Sequence, residues 1–372
     1  MSTAEQVDHG DLREAVRDFL AARSPSSAVR SAMDSGYDER IWRELTADLG
    51  LAAVAVPERF GGAGAGMPEL AVVFEEMGAA LLCSPFFATV ALAVPALLAS
   101  DDADAIGDLL PDLLDGSATA TLILDGALEA WRPEAVTLSA RRDGGTYLVS
   151  GEAPLVLDGD RADVILAAAR TDAGLSLFAV RGDAPGLQRT ALTALDRTRR
   201  PARLRFADVP ARLVGAQGGA ADGLTRASDL ALVALAAEQT GGAARCLEMA
   251  VDYAKNRIQF GRAIGSFQAV KHRCADMLVL VEGARSAAYH AAEVWDSPEL
   301  PVAAAVAKLA CSEAFLQCAL DSMRTHGGIG FTWEHDAHLY VRRAKATQLM
   351  FGSPDTHAGR LADLITHPKD DA

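Results

Sequence analysis

Two guanidiniums, an aromatic ring and amide donors crowd into one short stretch, Arg257-Ile258-Gln259-Phe260-Gly261-Arg262, which leads to Ser266-Phe267-Gln268-Ala269-Val270-Lys271-His272. The spacing ends one long helix in a turn and opens a second helix with further donors and positive charge. Arginine forks suit phosphate oxygens, and a helix N-terminus adds its dipole and free N–H groups. Phe260 offers a face for a ring. Together these residue types make a diphosphate grip; a solvated interhelix turn is the plain alternative, and composition alone does not separate the two.

A second stretch, Thr325-His326-Gly327-Gly328-Ile329-Gly330-Phe331-Thr332-Trp333-Glu334-His335, is rich in glycine, which lets backbone approach a ligand closely. The run Gly61-Gly62-Ala63-Gly64-Ala65-Gly66 superficially has the look of a phosphate cradle, but it joins two helices where a dinucleotide fingerprint needs a strand and a βαβ unit. It is read as a connector. His335 and His338 stand three apart, yet no third or fourth ligand is spaced to complete a shell, so no metal is expected. Arg342, Arg343 and Lys345 are expected to face a diphosphate or a partner's carboxylates, or to form a solvated basic face.

The elements that must carry these residues are mostly helical. Of the 372 residues 50% are hydrophobic and 6% aromatic, a balance that suits Ala- and Leu-rich helices. Spacings of three and four mark helices at 11–23, 38–49, 68–82, 87–100 and 102–114. From about Gly116 short runs bounded by Gly, Asp and Pro follow, at 120–124, 135–140, 147–150, 164–169, 175–180 and 203–206, which suggests a barrel or sandwich. Long helical segments return after the Gly215 to Gly223 stretch. Gly241 and Gly242 inside the first of them point to close helix approach, because each would cost about 1 kcal/mol on an exposed helix.

A net charge of −15 argues against nucleic-acid binding. The polar, acidic start from Met1 to Asp11 lacks the basic-then-apolar pattern of a secretory signal, so a cytoplasmic location is expected. Pro85 to Ala99, interrupted by Pro95, falls short of the roughly 20 residues of a membrane span, and no span is expected. Five cysteines without a C-x-x-C pair fit reduced thiols used in packing.

Arg257, Phe260, Gly261 and Gln268 resemble the R-x-x-F-G…Q segment of acyl-CoA dehydrogenases, and the loop with Gly327 and Gly328 resembles that family's Q-x-x-G-G-x-G loop, with Arg324 in place of the Gln, there to pair with a phosphate or to cap the preceding helix. The resemblance extends to Trp42-Arg43-Glu44-Leu45, Pro57-Glu58-Arg59-Phe60-Gly61-Gly62, Phe74-Glu75-Glu76-Met77-Gly78 and Phe206-Ala207-Asp208-Val209-Pro210, nearly the whole chain. It implies a mainly α fold with a central β-barrel: a helical N-terminal domain (1–117), a barrel (118–222) and a C-terminal four-helix bundle (223–372). It also implies FAD held at a subunit boundary by Arg257, Phe260, Gln268, Arg324, Gly327 and Gly328. An acyl-CoA substrate, an electron-transfer flavoprotein or similar acceptor, and a homo- or heterotetramer follow from the same likeness.

The departures are equally specific. Where the family has its Tyr-Glu-Gly base segment, the chain reads Met350-Phe351-Gly352-Ser353, and the alternative glutamate position on the first bundle helix aligns with Ala231. Phe351 cannot accept a proton, and α-proton abstraction needs a base in reach. Asp229 is the remaining weak candidate, ordinarily an N-cap at a helix start; Glu238 is expected to pair with a cation. The flavin-ring segments read Leu124-Asp125-Gly126 and Leu155-Val156-Leu157. In these respects the chain is similar to base-lacking subunits of actinobacterial two-subunit enzymes acting on bulky steroid side-chain CoA esters.

Overall fold

Three-and-four spacing becomes helix and alternation becomes strand in a computed structural model that describes residues 9–124 and 130–367. These residues group into two units: Met1–Arg30, Met67–Leu82 and Leu232–Ala372 form the first, Ser31–Gly66 and Cys83–Ala231 the second. Six helices come early in the chain: α1 (His9–Arg23), α2 (Ser26–Ser35), α3 (Glu39–Arg43), α4 (Met67–Ala79), α5 (Val94–Leu98) and α6 (Ala103–Asp115). The 87–100 segment is a π-helical stretch, Phe87–Ala93, that passes without a break into α5, and Pro95, which has no N–H to give, follows directly on the change from π to α.

The barrel lies in the second unit. Its strands are β1 (Ala120–Ile123), β2 (Ser139–Asp143), β3 (Thr146–Leu157), β4 (Val164–Thr171), β5 (Gly174–Arg181), β6 (Leu187–Ala191) and β7 (Pro201–Val214). The ring β4-β2-β3-β7-β5 closes through β5 on β4, with β1 added parallel to β4 and β6 antiparallel to β7. Closure removes free sheet edges. The inward face carries Val149, Ile165, Ala167, Phe178, Leu204 and Phe206, the every-second-residue set that alternation predicts.

Strand limits depart from expectation for local reasons. The run at 135–140 begins as a 3-10 turn at Pro133–Ala135 and pairs only from Ser139. Runs 147–150 and 203–206 extend into β3 and β7, because register shifts at Val149/Gly151 and Ala153/Val156 interrupt the alternation. Asp208 takes φ 53 opposite the first shift, and the strand continues through Pro210 rather than leaving the sheet there. In the Gly61–Gly66 connector the amides of residues 61 to 65 all donate to carbonyls of residues 53 to 58. None of these amides is left to cradle a phosphate.

The bundle comprises α7 (Ala221–Asn256), α8 (Gln268–Glu293), α9 (Leu300–His326), α10 (Ala337–Leu349) and α11 (Pro354–Thr366), with a small hairpin of β8 (Ile258–Gln259) and β9 (Arg262–Ala263). The paired glycines of α7 do allow close approach: a Cβ on Gly241 would sit 1.7 Å from Glu75 O on α4, and one on Gly242 would sit 2.4 Å from the Phe315 ring on α9. α9 with the turn after it is the one described helix long and apolar enough to cross a membrane, but 61% of its apolar window is buried inside the protein. It is the core helix of the bundle.

Candidate functional site

The Arg257 to Gln268 stretch is built as an outward-pointing hairpin. Arg257 N donates to Tyr253 O at 2.8 Å, closing α7, and Ile264 N donates back to Arg257 O at 2.9 Å. Ile258 pairs with Ala263 and Gln259 with Arg262. The two turn residues, Phe260 and Gly261, both have positive φ, 52° and 75°, the geometry of a mirror-image two-residue hairpin turn. The strain at Phe260 projects its ring, which is 91% exposed. Arg262 lies over the Phe267 ring at 4.2 Å. Among the described residues Arg257, Gln268 and Lys271 are exposed, and their side chains have no hydrogen bond or ion pair. Phe267 precedes α8 without giving it a side-chain cap, so the helix start keeps donors for an incoming acceptor.

The glycine loop follows α9 in the same unit. Gly327 has φ 65°, and a Cβ at Gly327 or Gly328 would meet nothing within 4 Å, so bare backbone faces open space. Arg324 is half exposed and pairs with Asp321 at 2.9 Å; Arg273 reaches the same carboxylate at 3.6 Å. Arg324 is thus held beside the loop by an ion pair one turn back. His326 donates through Nδ1 to Ser322 O at 2.7 Å. Its ring lies between Tyr253, at 4.5 Å, and His335, at 4.2 Å. The loop itself offers open glycine backbone, and its neighbours Arg324 and His326 are held in place by bonds to Asp321 and Ser322.

The base positions are different in kind. Phe351 is 6% exposed and adopts φ 57° ahead of Gly352 at φ 107°. Its carbonyl accepts a hydrogen bond from His357 Nε2 at 2.8 Å, and Lys308 Nζ donates to Thr347 O at 2.6 Å and Gln348 O at 3.2 Å. Burial pulls the Lys308 amine down to about 7 and the His357 imidazole down to about 4. The frame of the loop is tightly held, and the side chain on it is a hydrocarbon. Ala231 is buried in α7.

Two expectations need correction. Asp229 is no N-cap: α7 begins at Ala221, which leaves Asp229 buried inside the helix. The Gly-rich stretch conceals that start, because Gly223 occupies the first turns, where a Cβ would come within 2.9 Å of Ala99 O. Arg343 faces neither diphosphate, partner nor solvent; it is 1% exposed and pairs with Glu238 at 2.8 Å, the cation that Glu238 was expected to find. Its neighbours Arg342 and Lys345 lie over Trp333 at 5.1 Å and against Gln348 at 2.8 Å.

In the barrel, Leu155, Val156 and Leu157 offer no hydroxyl, and the Leu157 carbonyl is taken by Thr121 Oγ1 at 2.7 Å. Asp125 and Gly126 lie outside the described residues. The sequence reading missed Asp158, a buried carboxyl with φ 52° that follows this segment. Burial pushes it up to about 7 against the opposing pull of Arg199. Its only signal was an Asp-Gly pair, which reads equally well as a turn.

Two family descriptions match the chain: "Acyl-CoA dehydrogenase, N-terminal domain" over residues 6–117 and "Acyl-CoA dehydrogenase, C-terminal domain" over 229–365. Acyl-CoA dehydrogenase IpdE2 of Mycobacterium tuberculosis is 39% identical over 95% of this chain and 96% of its own length. A solved variant of the Tcur3481-Tcur3483 steroid acyl-CoA dehydrogenase matches with TM-score 0.86 and 32% identity over 96% of this chain and 98% of that one. The ChsE4-ChsE5 complex from Mycobacterium tuberculosis matches with TM-score 0.88 and 28% identity over all of both chains.

Proposed function

The chain belongs to the acyl-CoA dehydrogenase family of FAD flavoproteins, and from that premise we propose that it serves as the base-lacking, FAD-contacting subunit of a heteromeric acyl-CoA dehydrogenase. Arg257, Gln268 and the N-terminus of α8 hold the diphosphate, Phe260 covers a ring, and Arg324 with Gly327 and Gly328 lies along the adenylate. The FAD is shared with a homologous chain that brings the proton-abstracting carboxylate. The functional parts are then the helical segment 1–117, the barrel 118–222 and the bundle 223–372.

One observation carries this reading. Arg257, Gln268 and Lys271 are donors without protein partners among the described residues, while the two base positions are the hydrocarbons Phe351 and Ala231. Evolution toward a merely structural subunit would have no reason to leave guanidinium donors uncommitted at a strained, protruding turn. The names of two structural relatives, Tcur3481-Tcur3483 and ChsE4-ChsE5, each join two chains, and one is described as a steroid enzyme; this supports a homologous partner and a bulky acyl-CoA thioester.

In the complete enzyme the flavin supplies the acceptor for the β-hydride. This chain's share is to orient the dinucleotide and exclude water from its diphosphate, with electrons passed on to an electron-transfer flavoprotein or similar acceptor in the cytoplasm. Co-expression with a homologous chain carrying a glutamate at the position of Phe351 tests it. The reading expects a co-purifying, flavin-bearing complex and an apo or weakly flavinated chain when expressed alone.

A second reading keeps the chain catalytic in a homotetramer, with Asp229 as base. Its support is that Asp229 is a carboxylate buried in α7, although on a helix it points away from the side of Ala231, two positions on. An Asp229→Asn variant with an unaltered acyl-CoA-dependent flavin reduction rate removes it.

A further inference from the structure

A cavity of about 610 Å³ opens among α1, α4, α10 and the Gly241 to Met249 stretch of α7, its lining residues all in the first unit, and none of the dinucleotide-grip residues lines it. Small-molecule sites occupy volumes of this order. One wall is apolar, with Leu20, Ala80, Met249 and Leu339. The other wall is charged, and its hydrogen bonds do not balance.

The carboxylates on that wall are filled. Glu75 Oε1 accepts from Arg285 Nε and Nη2 at 3.3 and 3.2 Å, and its Oε2 from Tyr289 OH at 2.7 Å and Arg13 Nη2 at 2.9 Å. Glu76 Oε1 accepts from Arg13 Nη1 at 2.8 Å and Arg17 Nη2 at 2.9 Å, and its Oε2 from Arg17 Nε at 3.0 Å. Asp336 Oδ1 accepts from Arg30 Nε and Nη2 at 3.0 and 2.7 Å, and its side chain is 31% exposed, so water meets the other oxygen. Each guanidinium, however, brings five N–H groups. Arg17 Nη1 has no partner among the described residues, and Arg245 meets only Glu248, at 3.0 Å, and Tyr340. The free oxygen of Glu248 belongs to a side chain 58% exposed, which water satisfies. The buried carboxylates Glu75 and Glu76 are thus used up, while Arg17 and Arg245, 60% and 44% exposed, keep N–H groups that only water meets and that an incoming anion can take over.

We propose that this cavity is a second ligand site, taking a carboxylate or phosphate group carried on a small apolar body. The anion sits between Arg17 and Arg245, and the body lies on Leu20, Ala80, Met249 and Leu339. Charge-assisted bonds to guanidinium make the head group decisive, and the apolar wall sets the preference for an amphipath over a free inorganic anion.

Titration calorimetry on the full-length chain with octanoate, octyl phosphate and octanol tests it. Both anions are expected to bind at least about tenfold more tightly than octanol, and the tighter of the two identifies the head group. Arg245→Gln is expected to weaken both anions by about tenfold or more and to leave octanol unchanged; Arg245 is 44% exposed and its carboxylate partner is a surface residue, so the fold tolerates the change. Ala80→Phe, which fills the cavity, is expected to abolish binding of all three, while Arg257→Gln leaves binding unaffected. Equal affinity for octanol, indifference to Arg245→Gln, loss of binding in Arg257→Gln, or no anion binding at millimolar concentration would overturn the proposal.

Discussion

The hairpin after α7 and the loop after α10 belong to the same unit and are both strained, each with a phenylalanine at positive φ, yet they present opposite chemistry. Phe260 stands 91% exposed among donors that no described residue uses; Phe351 is 6% exposed, on a backbone fastened by Lys308 and His357. On the function proposed above, the contrast is one of binding machinery kept and reacting machinery absent within one unit, the second turn holding its backbone in place around a hydrocarbon.

Four changes break or sharpen that contrast. The largest effect is expected at Glu238, a carboxylate buried in α7. Arg343→Met leaves its charge uncompensated and should cost about 3–5 kcal/mol in denaturant unfolding; a cost near zero would mean the pair is not desolvated and that Glu238 is open to other work. Phe351→Glu returns a carboxylate to the retained frame. In a complex whose partner chain has its own base carboxylate removed, acyl-CoA-dependent flavin reduction should then rise by about 100-fold, the lower range for a positioned base.

Arg257→Gln strikes the opposite side of the comparison. Flavin retained by the complex after gel filtration should fall by about tenfold, the value of one charge-assisted contact, with the unfolding midpoint of the chain alone unchanged. The smallest effect concerns Asp158. Its folded carboxyl titrates near 7, above the ordinary carboxylate value, so the folded state holds a proton that the unfolded state releases and stability falls as pH rises from about 4 to 7. Asp158→Asn should flatten that decline and gain about 1 kcal/mol at pH 8, discounted for the Arg199 attraction it forfeits; an unchanged pH profile from urea melts would show that Asp158 stays ionised.

Much of this arrangement was legible in the chain's own pattern. Helices announced themselves through spacing, the paired glycines of α7 through their cost, and the exposed hairpin through its clustered guanidiniums in an acidic protein. What was hidden depends on long range. Arg343 sits in a run with Arg342 and Lys345 that looks like one basic face, and only its meeting with Glu238, 105 positions away, buries it. The start of α7 is masked by glycines whose use is packing against Ala99. Strand ends in β3 and β7 are blurred by bulges, which break alternation wherever an extra residue enters. Asp158 looks like a turn residue because its perturbation comes from burial, which no local window reports.

The most direct test is an anaerobic titration with a steroid or long-chain acyl-CoA, following the flavin absorbance bands, on the chain purified alone and co-purified with a base-bearing homologous chain. The account expects little bound flavin and no substrate-dependent bleaching for the chain alone, and full bleaching for the pair that is diminished by Arg257→Gln in this chain. A fully flavinated homotetramer of this chain that bleaches on its own, at a rate indifferent to Arg257→Gln, would contradict it.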